Sequence, residues 1–186
     1  MNAGKMISYP PKNDEDTERE AHLEKVMKEY GTELLKLSYS YVKNKETAKD
    51  IVQSAFISFY TNLTGFKGES SLKTWIYRIT ANKCKDYLRS AYVRRVFPMQ
   101  HLGESASGNG ADSDLLEEEL SEMLKKRVFQ LPVKYREVLM LHYFQELSVQ
   151  EIAEVLHIPQ STVRTRLERA RKKLAPLIKE EEFFYE

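Results

Sequence analysis

The sequence predicts an all-α protein made of two small helical domains joined by a flexible linker, on three observations. Apolar residues recur at three-and-four spacing over every long stretch, and no segment shows the period of two that a half-buried strand requires. The pattern fails between Phe97 and Ser113, where Pro98, Gly103, Gly108 and Gly110 stand among Ser and Asn. A chain of 186 residues holds one ordinary domain or two small ones, and the position of this break favours two.

Each element follows from its spacing. Residues 1–21 are polar, contain Pro10 and Pro11, lack the apolar centre of a secretory signal, and read as a flexible cytoplasmic arm. Val26, Tyr30, Leu34, Leu37 and Tyr41 line one face of a first helix. After the break at Lys43-Asn44-Lys45, Ala48, Ile51, Val52, Ala55, Phe56, Phe59 and Leu63 line a second. Thr64 to Ser71 reads as a loop, with Ser70 or Ser71 placed to cap a third helix that carries Leu72, Trp75, Ile76, Ile79, Tyr87 and Leu88 and runs to about Tyr92. These three helices define a first domain over residues 22–96, followed by a linker over 97–114. A second domain over 115–179 opens with a helix through Leu116, Leu120, Leu124 and Val128. It ends at Leu131-Pro132, because proline disfavours helical geometry in the residue before it. Further helices are expected near Lys134–Phe144, Ser148–Leu156 and Ser161–Ala175, and residues 180–186 form a tail.

Net charge is only +1, but it is unevenly spread. Arg78, Lys83, Lys85, Arg89, Arg94 and Arg95 form one basic stretch, and Arg164, Arg166, Arg169, Arg171, Lys172 and Lys173 a second. The acidic segment from Asp112 to Glu122 cancels them in the total. No apolar run reaches the roughly 18 to 20 residues of a membrane span. The single cysteine, Cys84, has no internal disulfide partner and fits a reducing compartment. His22, His101, His142 and His157 show neither metal-ligand spacing nor a catalytic pairing, and there is no phosphate-binding glycine loop. No metal, cofactor or enzymatic chemistry is therefore expected.

The most specific local signal lies between Ser148 and Leu174. Ile152-Ala153, Leu156, Ile158 and Val163 are spaced as in a helix-turn-helix, with Ala153 allowing close helix approach and Ile158 plugging the turn. On the last helix Val163, Leu167, Ala170 and Leu174 share one stripe, which leaves Ser161, Arg164, Thr165, Glu168, Arg169 and Lys172 outward. An isolated basic helix is usually a solvated face. Here the preceding helix and turn point instead to the DNA major groove, where an arginine pairing with guanine discriminates by roughly 1–3 kcal/mol.

Several motifs together resemble the sigma-70 family of RNA polymerase subunits. Asp50-Ile-Val-Gln53-Ser-Ala-Phe56 is similar to region 2.2, Phe66 through Trp75 to region 2.3, and Ile76-Tyr-Arg-Ile-Thr-Ala-Asn82 to region 2.4. Leu131-Pro-Val-Lys-Tyr-Arg-Glu137 and Leu147 through Leu174 resemble regions 4.1 and 4.2, so the likeness covers about residues 22 to 178 in order. Counterparts of regions 1.1 and 3 are lacking, which points to the extracytoplasmic-function group. The resemblance implies a non-catalytic promoter-recognition subunit. It implies docking of Asp50, Gln53 and Phe56 on the clamp helices of the polymerase's largest subunit, with a further contact to the polymerase flap. It assigns Phe66, Lys67, Ser70, Lys73, Trp75, Arg78, Asn82, Lys83 and Arg89 to the minus-ten element, where an unstacked base would be captured. Trp75, on the same stripe as Leu72 and Ile79, better suits a packing role, and Asn82 is the better candidate for base contact. The resemblance assigns Ser161, Thr162, Arg164, Thr165, Glu168, Arg169 and Lys172 to the minus-thirty-five element. It also implies control by an anti-sigma factor, often membrane-bound. An ordinary helix-turn-helix repressor or activator is a first rival reading, which leaves the first domain unexplained; a helical adaptor whose charged faces bind only proteins is a second.

Overall fold

The computed structural model describes residues 14–66, 68, 70–96 and 122–182, all of them in helices or the turns between helices. Seven α-helices follow in order: α1 Asp14–Val42, α2 Lys45–Asn62, α3 Leu72–Val96, α4 Glu122–Gln130, α5 Val133–Leu139, α6 Val149–Leu156 and α7 Gln160–Glu182. A 3-10 turn at Leu63–Gly65 closes α2, and a wide π-turn at Met140–Phe144 extends α5.

Local chemistry sets the boundaries. Lys43 turns into the left-handed region (φ 58°) to end α1, and the Asn44 side chain accepts the Thr47 amide at 2.8 Å to start α2. Of the two serines expected to cap α3, Ser71 does so, its Oγ accepting the Thr74 amide at 3.0 Å. Three helices outrun their expected ends, α3 by four residues to Val96. Residues 14–21, read as part of a flexible arm, belong to α1; the Arg19 guanidinium docks this turn by donating to the Tyr60 carbonyl (3.0 Å) and lying 4.6 Å from the Tyr60 ring centroid. Helix α7 passes through Pro176 to Glu182. There the proline removes one hydrogen bond, to the Lys172 carbonyl, at a surface position where water replaces it. The early part of the helix expected from Leu116, and the rest of the linker, lie outside the described residues.

Helices α1 to α3 close the first unit around Leu34, Leu37, Ala55, Phe59, Ile76 and Ala81, none of them exposed to water. Each such Leu, Ile or Phe contributes roughly 1.5–3 kcal/mol relative to an exposed position. Helices α4 to α7 enclose Val138, Met140, Leu141, Ile152, Val155 and Val163. Both anticipated units are thus present, but they also pack together, which the sequence reading did not anticipate. Helix α3 lies along α6, α1 lies against α5, and the two apolar cores merge into one cluster.

The seam between them is polar and specific. Glu137 of α5, almost fully buried, accepts the Tyr41 hydroxyl of α1 at 2.7 Å and the Arg166 guanidinium of α7 at 2.7 Å, with Lys85 of α3 at 3.6 Å. Tyr77 of α3 donates to the Gln145 side chain at 2.7 Å, and Lys73 donates to the Gln145 carbonyl at 3.1 Å. Lys43 donates to the Phe129 carbonyl at 2.8 Å, beside an edge-on contact of Tyr39 with the Phe129 ring.

Burial pushes the Cys84 thiol up to about 12. Burial together with the Glu137 carboxylate pushes the Tyr41 phenol well above its usual value, and burial with the Glu33 carboxylate does the same to Tyr77. All three hold their protons more tightly folded than unfolded. Their contribution is therefore intact below the unfolded-chain values, about 8.5 for a thiol and about 10 for a phenol, and is lost as pH climbs through the raised folded values. Burial lowers Arg136 to about 10, an effect of opposite sign. Burial and the neighbouring Glu29 push Tyr30 up to about 12, adding to the first set, and burial lowers Lys43, adding to the second. With four groups against two, thermal stability should fall above about pH 9, and the Tyr41→Phe/Tyr77→Phe double variant should show a shallower alkaline fall. An identical pH profile in that variant would contradict the assignment.

Candidate nucleic-acid interface

The helix-turn-helix is built as its spacing required. The Ser148 hydroxyl accepts the Glu151 amide at 3.2 Å, while the Glu151 carboxylate accepts the Ser148 amide at 2.8 Å, a reciprocal cap that starts α6. The Ser148 hydroxyl also donates to the Glu151 carboxylate at 2.7 Å, and this bond, together with the one from the Ser148 amide, holds the Glu151 carboxyl below its ordinary range. At the other end His157 takes the left-handed conformation (φ 54°) and Ile158 donates to the Ala153 carbonyl at 3.1 Å, so the chain reverses sharply into α7. Val163, Leu167 and Ala170 are buried against α5 and α6, which fixes the rotation of α7.

That rotation leaves Ser161, Arg164, Thr165, Glu168, Arg169 and Lys172 exposed and Thr162 half-exposed, so all seven side chains expected at the minus-thirty-five element share the open side of α7. Two strips can be separated. Arg164, Glu168 and Lys172 recur every four residues along the crest, with Glu168 and Lys172 paired at 2.6 Å and Arg164 donating to Gln160 at 3.2 Å. Beside them Ser161, Thr162, Thr165, Arg166 and Arg169 form one wall of a surface notch, whose other wall is Lys134 and Tyr135 of α5. Sequence reading missed Lys134 and Tyr135, which belong to no repeat of the recognition helix; only the α5–α7 packing brings them there.

The residues expected at the minus-ten element divide. Trp75, Arg78, Asn82 and Arg89 fall on one strip of α3 at 100° per residue, with Asn82 and Arg89 exposed. Phe66 stacks on Trp75 at 4.6 Å between ring centroids, and Trp75 in turn meets the buried Phe59 at 4.9 Å. The indole therefore joins the loop to the core while keeping part of its surface open. Lys83 lies off this strip, Ser70 is half-buried, and Lys67 lies outside the described residues. Lys73 points the other way, into the seam with Gln145.

Between α1 and α2 of the first unit runs an apolar groove of about 540 Å³. Gln53 and Phe56, two of the three residues expected to meet polymerase, line it together with Met27, Gly31, Leu35 and Ile57; Asp50 is exposed but outside it. Met27 and Ile57 stay 47% and 60% exposed, high for large apolar side chains in a packed helical unit. A Cβ placed on Gly31 would meet nothing within 4 Å. Among the described residues, no His, Cys, Asp and Glu side chains group as a metal would need, and no helix is long and apolar enough to cross a membrane.

Two helical units, one carrying a helix-turn-helix and the other an aromatic-basic strip and an apolar groove, define a helix-turn-helix protein with an added helical module. Comparison with known proteins narrows the class. The Sigma-70 region 2 profile matches residues 26–93 and the Sigma-70 region 4 profile matches residues 121–174. The chain is 35% identical over 159 residues to the ECF RNA polymerase sigma factor SigW of Bacillus subtilis, covering 78% of this chain and 82% of that one. It is 36% identical over 145 residues to the ECF RNA polymerase sigma-E factor of Escherichia coli K12, covering 70% and 75%. The fold is similar to CnrH in complex with the cytosolic domain of CnrY (TM-score 0.65, 22% identity, 88% of this chain and 92% of that one). It is also similar to the sigma factor RpoE in complex with the anti-sigma factor NepR from Bartonella quintana (TM-score 0.62, 21% identity, 89% and 97%). The chain belongs to the extracytoplasmic-function sigma factors of the sigma-70 family.

The reciprocal cap gives a direct check on how α6 is held. Ser148→Ala should cost about 1 kcal/mol of stability, read as a lower denaturant midpoint with an unchanged slope. An unchanged midpoint would mean that the cap does not help to hold the helix-turn-helix.

Proposed function

We propose that this sigma factor recruits core RNA polymerase through the α1–α2 groove, reads the minus-thirty-five element with α7, and captures an unpaired base of the minus-ten element beside α3. The observation that carries this reading is the coexistence of two outward basic helices on separate helical units of one chain. A repressor needs α7 alone and has no use for the Trp75–Arg78–Asn82–Arg89 strip or the groove.

The crest of α7 suits the edges of bases in the major groove, Arg164 acting as donor to guanine and Glu168 as acceptor from cytosine. At the first unit, Phe66 and Trp75 offer aromatic faces, Asn82 offers an amide, and Arg78 and Arg89 attract the backbone, a combination suited to an unstacked base. Unstacking costs a few kcal/mol, which the pocket and the polymerase contacts together offset. The chain supplies no catalysis of its own; bond formation belongs to the polymerase.

The packed arrangement bears on mechanism. Two elements about 25 base pairs apart are separated by roughly 85 Å at 3.4 Å per step, whereas here α3 lies directly on α6. The two units must therefore part for both to be engaged at once. The expected linker, residues 97–114, reaches about 60 Å when fully extended at about 3.3 Å each, and the widths of the two units add to that reach. The same arrangement offers a target for control: a cytoplasmic anti-sigma protein, or the cytoplasmic part of a membrane-anchored one, would act by holding the units together. The solved complex of similar fold in which the sigma factor RpoE is bound to the anti-sigma factor NepR supports such a partner.

Transcript starts mapped with core polymerase plus this chain, against core alone, should reveal new discrete starts that share upstream elements. Arg164→Ala should relax the upstream element at one position, a loss of about 1–3 kcal/mol of discrimination. No new starts, with the free protein protecting duplex operators, would replace this reading with the repressor one. The groove has its own test. Gly31→Leu fills open space and raises helix propensity by about 1 kcal/mol, so the variant should fold at least as stably yet lose affinity for core polymerase. Full affinity in a folded Gly31→Leu variant would exclude the groove as the docking site.

A further inference from the structure

The notch between α5 and α7 has features of an anion site that reach beyond the recognition helix. Its volume, about 270 Å³, is that of about nine waters at about 30 Å³ each, room for one tetrahedral oxyanion and part of its hydration shell. Three cations line it, Lys134, Arg166 and Arg169, with the hydroxyls of Ser161, Thr162 and Thr165, and no carboxylate lies among its lining residues. The Arg166 guanidinium is held at 2.7 Å by the buried Glu137 carboxylate. That pair joins the two walls and leaves the positive charges of Lys134 and Arg169 for an incoming ligand. Lys134 is itself oriented, its ammonium 5.2 Å from the centroid of the Tyr135 ring.

We infer that the notch holds one backbone phosphate of the duplex whose major groove α7 reads, with Lys134 and Arg169 on either side of it. Position decides for phosphate over base. The notch lies on the flank of α7 rather than its crest, and Arg164, Glu168 and Lys172, the crest residues, do not line it. A helix seated in the major groove has base edges in front of its crest and a sugar–phosphate strand along its flank. Lys134 is thereby a positioning residue: it sets the depth and tilt of α7 without reading sequence. Because the Arg166–Glu137 pair fixes α5 to α7, the contact couples helix orientation to a second element of the domain. The inference rests on the proposed binding of α7 to duplex DNA.

The experiment is a salt titration of the full-length chain on a short duplex carrying its upstream promoter element, compared with a scrambled duplex. Dissociation constants are measured between about 50 and 200 mM salt. Loss of one phosphate contact in Lys134→Gln should reduce the slope of log affinity against log salt by about 0.9, and should weaken both duplexes by the same factor. Lys134→Arg should keep the wild-type slope. An unchanged slope in Lys134→Gln, with the wild type binding normally, overturns the notch as a phosphate site. A loss confined to the intact element overturns it differently, by making Lys134 a base reader. If the wild type prefers neither duplex and shows no salt dependence, the DNA-binding reading of α7 fails, and the notch with it.

Discussion

A carboxylate taken out of water must be paired, and the arrangement of this molecule turns on how Glu137 meets that demand. Removing one partner from such a buried pair costs about 3–5 kcal/mol. Glu137 draws its partners from three helices: Arg166 of α7 within its own unit, and Tyr41 and Lys85 of α1 and α3 across the seam. The first bond fixes the rotation of the recognition helix. The other two tie the fate of the carboxylate to whether the units are together. When they part, Arg166 stays bonded and water takes the place of Tyr41 and Lys85, so separation exposes the seam without leaving the buried charge unpaired.

This asymmetry suits a protein that works in two shapes. Within each unit the bonds that orient the DNA-facing helices, the Ser148–Glu151 cap and the Trp75 stack, involve no residue of the other unit. Across the seam the polar contacts are few, and several use groups that water would serve nearly as well, such as the Gln145 and Phe129 carbonyls. Such hydrogen bonds are worth about 0.5–1.5 kcal/mol each in net terms. Opening also exposes the apolar surface where α3 packs on α6 and α1 on α5, and that cost must be offset. Polymerase and promoter contacts supply that offset in the proposed cycle, and an anti-sigma partner would oppose it.

Much of this was legible in the sequence because it repeats at short range. The stripes of α1, α2 and α7, the Leu131-Pro132 stop and the turn before Pro159 all announce themselves within a few residues. The helix-turn-helix was legible down to which side chains face outward. What escaped depends on pairs distant in the chain. The first turns of α1 are too charged to show a stripe, and it is Tyr60, 41 residues from Arg19, that docks them. The groove needs exposed apolar residues from two helices and the missing side chain of Gly31. The stripe shared with Leu72 and Ile79 favours packing for Trp75 over the base contact that the resemblance implies, and Trp75 does pack, set between Phe59 and Phe66 with one part open. The seam gave no signal because Tyr41 and Glu137, 96 residues apart, each look ordinary alone.

The most direct test of the account is the distance between the two units, read from paired spin labels at Glu46→Cys and Lys126→Cys, both exposed positions; the native Cys84 is buried and remains unlabelled. The free chain should give one short, narrow distance distribution. Core polymerase and promoter together should lengthen it by tens of ångströms, toward the roughly 85 Å that separates the two elements. A distance unchanged in the full complex would contradict the account, since the packed form would then be the working form and the two helices could not read elements so far apart.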